Sequence, residues 1–537
     1  MNKVKKNGGS FVKQAAILAV AGILVRLLGF LYRLPLTNMI GDEGNGIYSA
    51  GYYLYNMFLI MSSAGLPVAI SKMVSEKLAL GEYTNAKKIF RTSFFVAGGL
   101  GLICTIAMFL GANAFCKAIG SPRSYYCILT LAPTVFIVSV MAVFRGYFQG
   151  FNSTVPTAIS QIVEQILNAV FSVYLAWILV KTSVELGAAG GTAGTGIGAL
   201  AGLVTLVVIF FTSRKGRMEL FAEDKKDYRV ETSREITSNL FKIAIPVITG
   251  TAIFSMTNLI DMVMVNSRLA AIGTYTAEEI DALYGQLTGK YVTLSTMPVA
   301  ISTALATAVI PSIAGRVVRK EHELVQAKVD TTLRLTMIIS IPAAIGLGAL
   351  GPQILQMLFP NYSDGGMLIR VGSISVVFLA LSQISTGVLQ GVGKVNAPAW
   401  NALWGSIAKI PVNYFLIAIP EINIIGAVIS TTVCYIIASL LNFRALIKAT
   451  GVRQDFVGML VKPSIASIIM GIFSLLSYHL FYKFMPSNLV CTLLAIIVAM
   501  VVFVVAMICV KGFAREDLQM VPMGGKIIRF LEKINRI

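Results

Sequence analysis

Stretches of about twenty predominantly apolar residues recur from one end of this chain to the other. An α-helix rises about 1.5 Å per residue, so roughly 20 such residues cover the hydrocarbon core of a bilayer. Fourteen runs meet that length. Six lie at about 14–35, 48–71, 92–114, 124–148, 157–180 and 188–212. Six more lie at about 240–266, 284–311, 331–358, 367–390, 398–419 and 423–446, and two close the chain at about 462–484 and 488–511. The expected fold class is therefore an all-α polytopic membrane protein with fourteen transmembrane helices. No soluble domain of useful size fits between the runs. Only 13% of the residues are charged, where a soluble domain carries about a quarter.

A net charge of +19 raises the question of nucleic acid, and the placement of the charge answers it. The loop 72–91 holds Lys72, Lys77, Lys87, Lys88 and Arg91, and the loop 213–238 holds Arg214, Lys215, Arg217, Lys225, Lys226, Arg229 and Arg234. The loops of the opposite side hold only Lys117, Arg123, Lys181, Arg268 and Lys483. The side richer in Lys and Arg is the cytoplasmic one. The basic excess is thus topology and implies no nucleic-acid partner. An even number of spans puts both termini in the cytoplasm, in a bacterial cytoplasmic membrane. The basic Met1–Lys13 stretch lacks a small-x-small cleavage pattern and leads into the first run as an uncleaved helix. After Lys511, the stretch Gly525–Ile537 reads equally as an amphipathic surface helix or a solvated tail.

The two halves echo each other. Leu66-Pro67-Val68-Ala69-Ile70-Ser71 is matched by Met297-Pro298-Val299-Ala300-Ile301-Ser302, and Phe148-Gln149-Gly150 by Leu389-Gln390-Gly391, in the same order. Two matches in register suggest two six-helix lobes of like orientation, a parallel repeat about the membrane normal. The expected division is an N-terminal lobe over 1–215, a cytoplasmic linker over 216–235 and a C-terminal lobe over 236–450. The last two helices and a tail occupy 451–537. Pro67 and Pro298 each remove a backbone donor near the same place in their lobes, which makes them candidate hinges for alternating access.

Ionisable residues inside a span cost roughly 2.5–3.5 kcal/mol each on insertion scales, so each implies a function or a partner. The candidates are Arg26, Arg33, Glu164, Asp261, Lys290, Arg370 and Lys409. Arg33, Lys290 and Arg370 lie near helix ends, where snorkelling is the competing explanation. Arg26 and Arg33 are seven apart and share one helix face with Gly22 and Gly29. Guanidinium groups bind phosphate through paired, planar hydrogen bonds. Five basic groups against two acidic ones suit an anionic diphosphate headgroup better than a cationic drug. Arg26, Arg33, Lys290, Arg370 and Gly29 are the candidate substrate-binding set. Asp261, Lys409 and Glu164 are candidates for coupling, or for structural ion pairs in which the two acids meet Lys290 or Lys409. No catalytic residue, metal site or cofactor is expected: cysteines and histidines are scattered, and the glycine-rich 187–198 stretch lacks a P-loop lysine and reads as helix packing.

The segments Arg26-Leu27-Leu28-Gly29-Phe30-Leu31-Tyr32-Arg33-Leu34-Pro35-Leu36, Ile40-Gly41-Asp42-Glu43-Gly44, Ala64-Gly65-Leu66-Pro67-Val68-Ala69-Ile70-Ser71-Lys72 and Leu283-Tyr284-Gly285-Gln286-Leu287-Thr288-Gly289 resemble the stage V sporulation protein B branch of polysaccharide biosynthesis proteins. That branch belongs to the multidrug/oligosaccharidyl-lipid/polysaccharide (MOP) exporter superfamily and is similar to MurJ, the lipid II flippase. The resemblance implies two six-helix lobes in a V around a cationic cleft, two added C-terminal helices bordering a lipid-tail groove, and a lipid-linked anionic substrate moved by a monomer. It departs from the Gram-negative MurJ pattern in three places. The arginines are seven rather than six apart, Leu59 and Ile60 stand where that branch has arginines, and Lys290 is displaced by about a turn. Some relatives of that kind bind sodium near the seventh, eleventh and twelfth helices. Asp261 fits such a set, whereas Lys409 supplies a cation where a carboxylate would be needed, so sodium is not expected to be required. Competing expectations are a flippase for a capsule, teichoic or spore glycan, a drug/cation antiporter, a membrane glycosyltransferase, and a sporulation scaffold.

Overall fold

The computed structural model describes residues 2–222, 224, 228–452 and 455–514. The stretch 525–537 lies outside the described residues. Every regular element among them is helical. The order is α1 (Asn2–Ser63), α2 (Leu66–Leu80), α3 (Tyr83–Ala118), α4 (Tyr125–Gly150), α5 (Val155–Leu179), α6 (Val184–Thr212), α7 (Arg214–Ala222), α8 (Ser233–Ile272) and α9 (Ala277–Gly285). A π-helical stretch, Gln286–Val292, leads into α10 (Thr293–Val318), followed by α11 (His322–Leu358), α12 (Gly366–Gly372), α13 (Ser375–Gly391) and α14 (Ala397–Leu416). The last are α15 (Ile425–Thr450), α16 (Lys462–Phe484) and α17 (Asn488–Cys509).

All fourteen apolar runs fall on helix, and ten helices among the described residues are long and apolar enough to span a bilayer. Three features of the chain account for most of the difference, and the eighth run, on α10, is not among the ten. The first two runs form one 61-residue stretch, Val20–Leu80, in that count. The tenth run is a pair, α12 and α13, bent by 52°, which would make an eleventh span. The eleventh run, α14, is diluted by Asn401, Lys409 and Asn413.

Two compact units are present. The first comprises Met1–Ser267 and Thr276–Gly285, the second Arg268–Tyr275 and Gln286–Ile537. Most of α8, the seventh apolar run, therefore packs with the first unit. The repeat groups the same run with those that follow it, which is a grouping by chain order rather than by packing.

In the first unit, Gly41 breaks α1 with a left-handed φ of 71°, a conformation that costs glycine little. The chain beyond that break is contacted closely by α9. A Cβ at Gly46 would lie 1.9 Å from the Asp281 carbonyl oxygen, and one at Gly285 would lie 1.8 Å from that of Asp42. Gly46→Ala is therefore expected to force the two backbones apart, at a cost of about 3 kcal/mol or more, the upper end for an overpacked core. Thermal unfolding in detergent would show it, and an unchanged midpoint would contradict the contact.

Glycines also set the α5–α6 pair. Added Cβ atoms at Gly194, Gly198 and Gly202 of α6 would meet Ser172, Glu164 and Asn168, or Ser160 of α5. Small residues let membrane helices approach to backbone distance, and the glycine-rich stretch lies on this contact. The helix break at Ala64–Gly65 places Pro67 in the first turn of α2. A Cβ at Gly65 would lie 2.5 Å from the Ala244 carbonyl oxygen of α8, and one at Gly146 of α4 would lie 2.9 Å from Pro67 Cα.

Within the first unit, the segment 229–235 is strapped to the turn between α2 and α3. Lys77 pairs with Glu82 at 3.0 Å and with Glu231 at 2.5 Å, and Asn85 donates to the Arg229 carbonyl and accepts from the Glu231 amide. A cavity of about 410 Å³ there is lined by Lys77, Glu82, Arg229, Glu231, Glu235 and Asn239. Its charges largely neutralise one another, so it is the polar seam of the strap rather than a headgroup site.

In the second unit, α10, α11, α13 and α15 enclose an apolar core around Ile313, Val329, Leu333, Met337, Ile384 and Val388. The closing pair packs on α11 through Leu350, Tyr478, Cys491 and Ala495. Pro298 lies inside α10, shortly after the π-helical stretch.

Candidate functional site

The first unit gathers Arg26, Gly29, Arg33, Glu164 and Asp261, and the second holds Lys290, Arg370 and Lys409. Helical periodicity puts Arg26, Gly29 and Arg33 on one face of α1. Arg26 is exposed. A Cβ at Gly22 would have nothing within 4 Å, and one at Gly29 would lie 3.4 Å from Nε2 of Gln165 on α5. The stripe is open at its start and lined by an amide one turn beyond Arg26. Arg33 is half-buried, its guanidinium carbon 5.7 Å from the centre of the Tyr48 ring, within cation–π range. The Tyr32 and Tyr48 hydroxyls lie 3.5 Å apart beside it.

Glu164 carries its own counter-ion. Arg145 of α4 reaches its carboxylate at 2.7 Å, and the same guanidinium donates to the Ser160 hydroxyl at 3.1 and 3.2 Å. The pairing with Lys290 or Lys409 considered from the sequence gives way to this one. Arg145 lies inside the fourth apolar run and is a functional residue that the candidates Arg26, Arg33, Glu164, Asp261, Lys290, Arg370 and Lys409 leave out, although a charge within a run is the sequence signal that marks it. Asp261 is buried, at 9% exposure.

In the second unit Lys290 does not snorkel. It is 1% exposed, its ammonium donates to the Asp364 carbonyl at 2.9 Å, and it lies 5.9 Å from the centre of the Phe359 ring. The π-helical Gln286–Val292 stretch carries it; such bulges are frequent at functional sites. Arg370 is exposed on α12. Lys409 is fully buried on the α14 face that also carries Ser406 and Asn413, and Asn413 accepts from Ser430 of α15. Among the described residues no group of three His, Cys, Asp or Glu side chains is placed to hold a metal.

A second charged constellation escaped the sequence because its members come from four separate segments. Arg123, just before α4, meets Glu43 beyond the α1 break and Glu185 in the first turn of α6, each at 2.5 Å. It also meets Asp281 and Glu278 of α9, at 3.5 and 3.9 Å. Asp281 is buried. Burial pushes its carboxyl up from 3.8 to about 7 against the pull of Arg123, with Glu43, Glu278 and Glu185 adding to the rise. The docked α9 therefore keeps a proton that an undocked one would release above about pH 4. Docking is strongest at low pH, weakens as pH rises towards 7, and levels off above that. Protection of the 277–285 amides from hydrogen exchange, corrected for the intrinsic rate, should fall on the order of 10- to 100-fold between pH 5 and 8. Asp281→Asn should remove that dependence, and an identical profile in the variant would exclude Asp281 as its source.

Long apolar helices in two units, with cationic groups inside the spans, define a multi-pass membrane protein of the transporter class. The family model described as "Polysaccharide biosynthesis protein" matches residues 11–315, and the MatE model matches residues 288–415. The chain belongs to the polysaccharide biosynthesis protein family. It is similar to "Stage V sporulation protein B" of Bacillus subtilis (strain 168), 25% identical over 97% of this chain and 99% of that protein. It is also similar to "Lipid II flippase MurJ" of the same organism, 26% identical over 85% of this chain and 86% of that one. Among solved structures, "Lipid II flippase MurJ, inward closed conformation" has the same fold, with a TM-score of 0.67 at 15% identity, covering 91% of this chain and 98% of that one.

Proposed function

We propose that this protein flips an undecaprenyl-diphosphate-linked glycan, lipid II foremost, from the inner to the outer leaflet of the bacterial cytoplasmic membrane by alternating access. The carrying observation is the Arg26–Gly29–Arg33 stripe, exposed at Arg26 and half-buried at Arg33, in a unit where Glu164 is already neutralised by Arg145. Such a face presents positive charge to an anionic headgroup. A drug/cation antiporter would need a free carboxylate there. The kinship with a lipid II flippase and a sporulation protein supports the glycan carrier and leaves a spore, capsule or teichoic glycan as the second reading.

In this account both termini face the cytoplasm and a single copy suffices. The diphosphate meets Arg26 and Arg33. The prenyl tail stays in lipid. Moving net charge couples the cycle to membrane potential, at roughly 2.3 kcal/mol per charge per 100 mV. Lys409 takes the place of a coupling cation, so transport continues when sodium is removed at constant potential. Native mass spectrometry of the purified protein with undecaprenyl diphosphate and with tetraphenylphosphonium tests the sign of the site. The account expects the anionic lipid to bind and the cation not to; the reverse would support the antiporter.

A further inference from the structure

We propose that Gln161 and Gln165 of α5 form an amide face that reads the glycan of the lipid-linked substrate, beside the arginines that hold its diphosphate. This rests on the diphosphate reading above and assigns the sugar-recognising side chains that it leaves open.

The two glutamines are four apart and share a face of α5. The adjoining strip is already committed. Glu164 pairs with Arg145, Ser160 accepts from the same guanidinium, and Asn168 accepts from Ser172 and Thr195. A Cβ at Gly198 of α6 would meet the Glu164 carbonyl and Asn168 at 2.5 and 2.9 Å, so α6 covers that strip. Gln165 instead points its Nε2 towards Gly29, midway between Arg26 and Arg33. One turn away, Gln161 buries its Oε1 with no hydrogen-bond partner among the described residues.

A buried acceptor without a partner is costly and calls for an explanation. A purely structural glutamine would be bonded within the helix pair, as Asn168 is. Each amide offers two donors and an acceptor without charge. It therefore does not compete with the arginines for phosphate, and it matches the hydroxyl and N-acetyl groups of an amino sugar. Discrimination by such groups is strong because the analogue lacking the sugar leaves them unpaired.

The test compares two probes bound to the full-length protein in detergent: undecaprenyl diphosphate, and undecaprenyl diphosphate carrying the N-acetylglucosaminyl–N-acetylmuramoyl pentapeptide. The ratio of their affinities is read for wild type, Gln161→Leu and Gln165→Leu. Wild type should prefer the glycan-bearing lipid. Each variant should lose about tenfold of that preference, the worth of one or two hydrogen bonds, with binding of the bare diphosphate unchanged. An unchanged ratio would overturn the proposal. So would loss of both ligands together, which would make the glutamines props for the arginine stripe, and so would a wild type with no preference. If Arg26→Gln bound the bare diphosphate as well as wild type, the diphosphate reading would fall, while the affinity ratio would still judge the glutamines.

Discussion

Arg26→Gln protein should fold normally and flip its lipid-linked substrate roughly 10- to 100-fold more slowly, the loss of one charge-assisted contact to phosphate. The expectation follows from exposure. Arg26 lies open on α1 with open space at Gly22 before it, so the change removes charge and donors without leaving a cavity. Arg33→Gln should cost less transport and some stability, because that guanidinium also rests over Tyr48. Rates measured in liposomes, with thermal midpoints as the folding control, separate the two effects. An Arg26→Gln rate equal to wild type would remove the stripe from the mechanism.

Arg123→Met should destabilise the protein substantially, and in a pH-dependent way. It would leave Glu43, Glu185 and Asp281 converging on an apolar side chain. Stripping one partner from a fully buried ion pair costs about 3–5 kcal/mol. Here Arg123, Glu43 and Glu185 keep 20%, 29% and 26% of their side-chain surface, so solvent screening brings the expectation down to about 2–3 kcal/mol. The deficit should shrink at pH 5, where protonation relieves the repulsion, and be largest at pH 8. Thermal unfolding in detergent at both pH values measures it. An unchanged midpoint at pH 8 would show that α9 is held by its glycine contacts alone.

Those two residues mark what the sequence does and does not disclose. Arg26 was legible because a charge inside an apolar run is costly wherever the helix packs, and its spacing to Gly29 and Arg33 is a property of one helix. The all-helical class was legible for the same reason, since run length against bilayer thickness needs no knowledge of neighbours. The Arg123 constellation was not. Glu43, Arg123, Glu185 and Asp281 lie in four different segments, and only the docking of α9 against the chain beyond Gly41 brings them together. The Gly41 break was present in the sequence as a motif, but a positive φ leaves no mark on hydropathy, and a count by length joins the helices on either side of it. Glu164 shows an intermediate case. Its need for a partner was readable, whereas the identity of that partner depends on how α4 lies beside α5. Arg145 itself stands inside the fourth run.

The most direct test of the central claim is the movement of a labelled undecaprenyl-diphosphate glycan across liposomes containing only the purified protein, with a membrane potential imposed. The account predicts that label loaded on one leaflet becomes accessible on the other at a protein-dependent rate that rises with the potential. Folded protein that leaves the label where protein-free vesicles leave it would contradict the account.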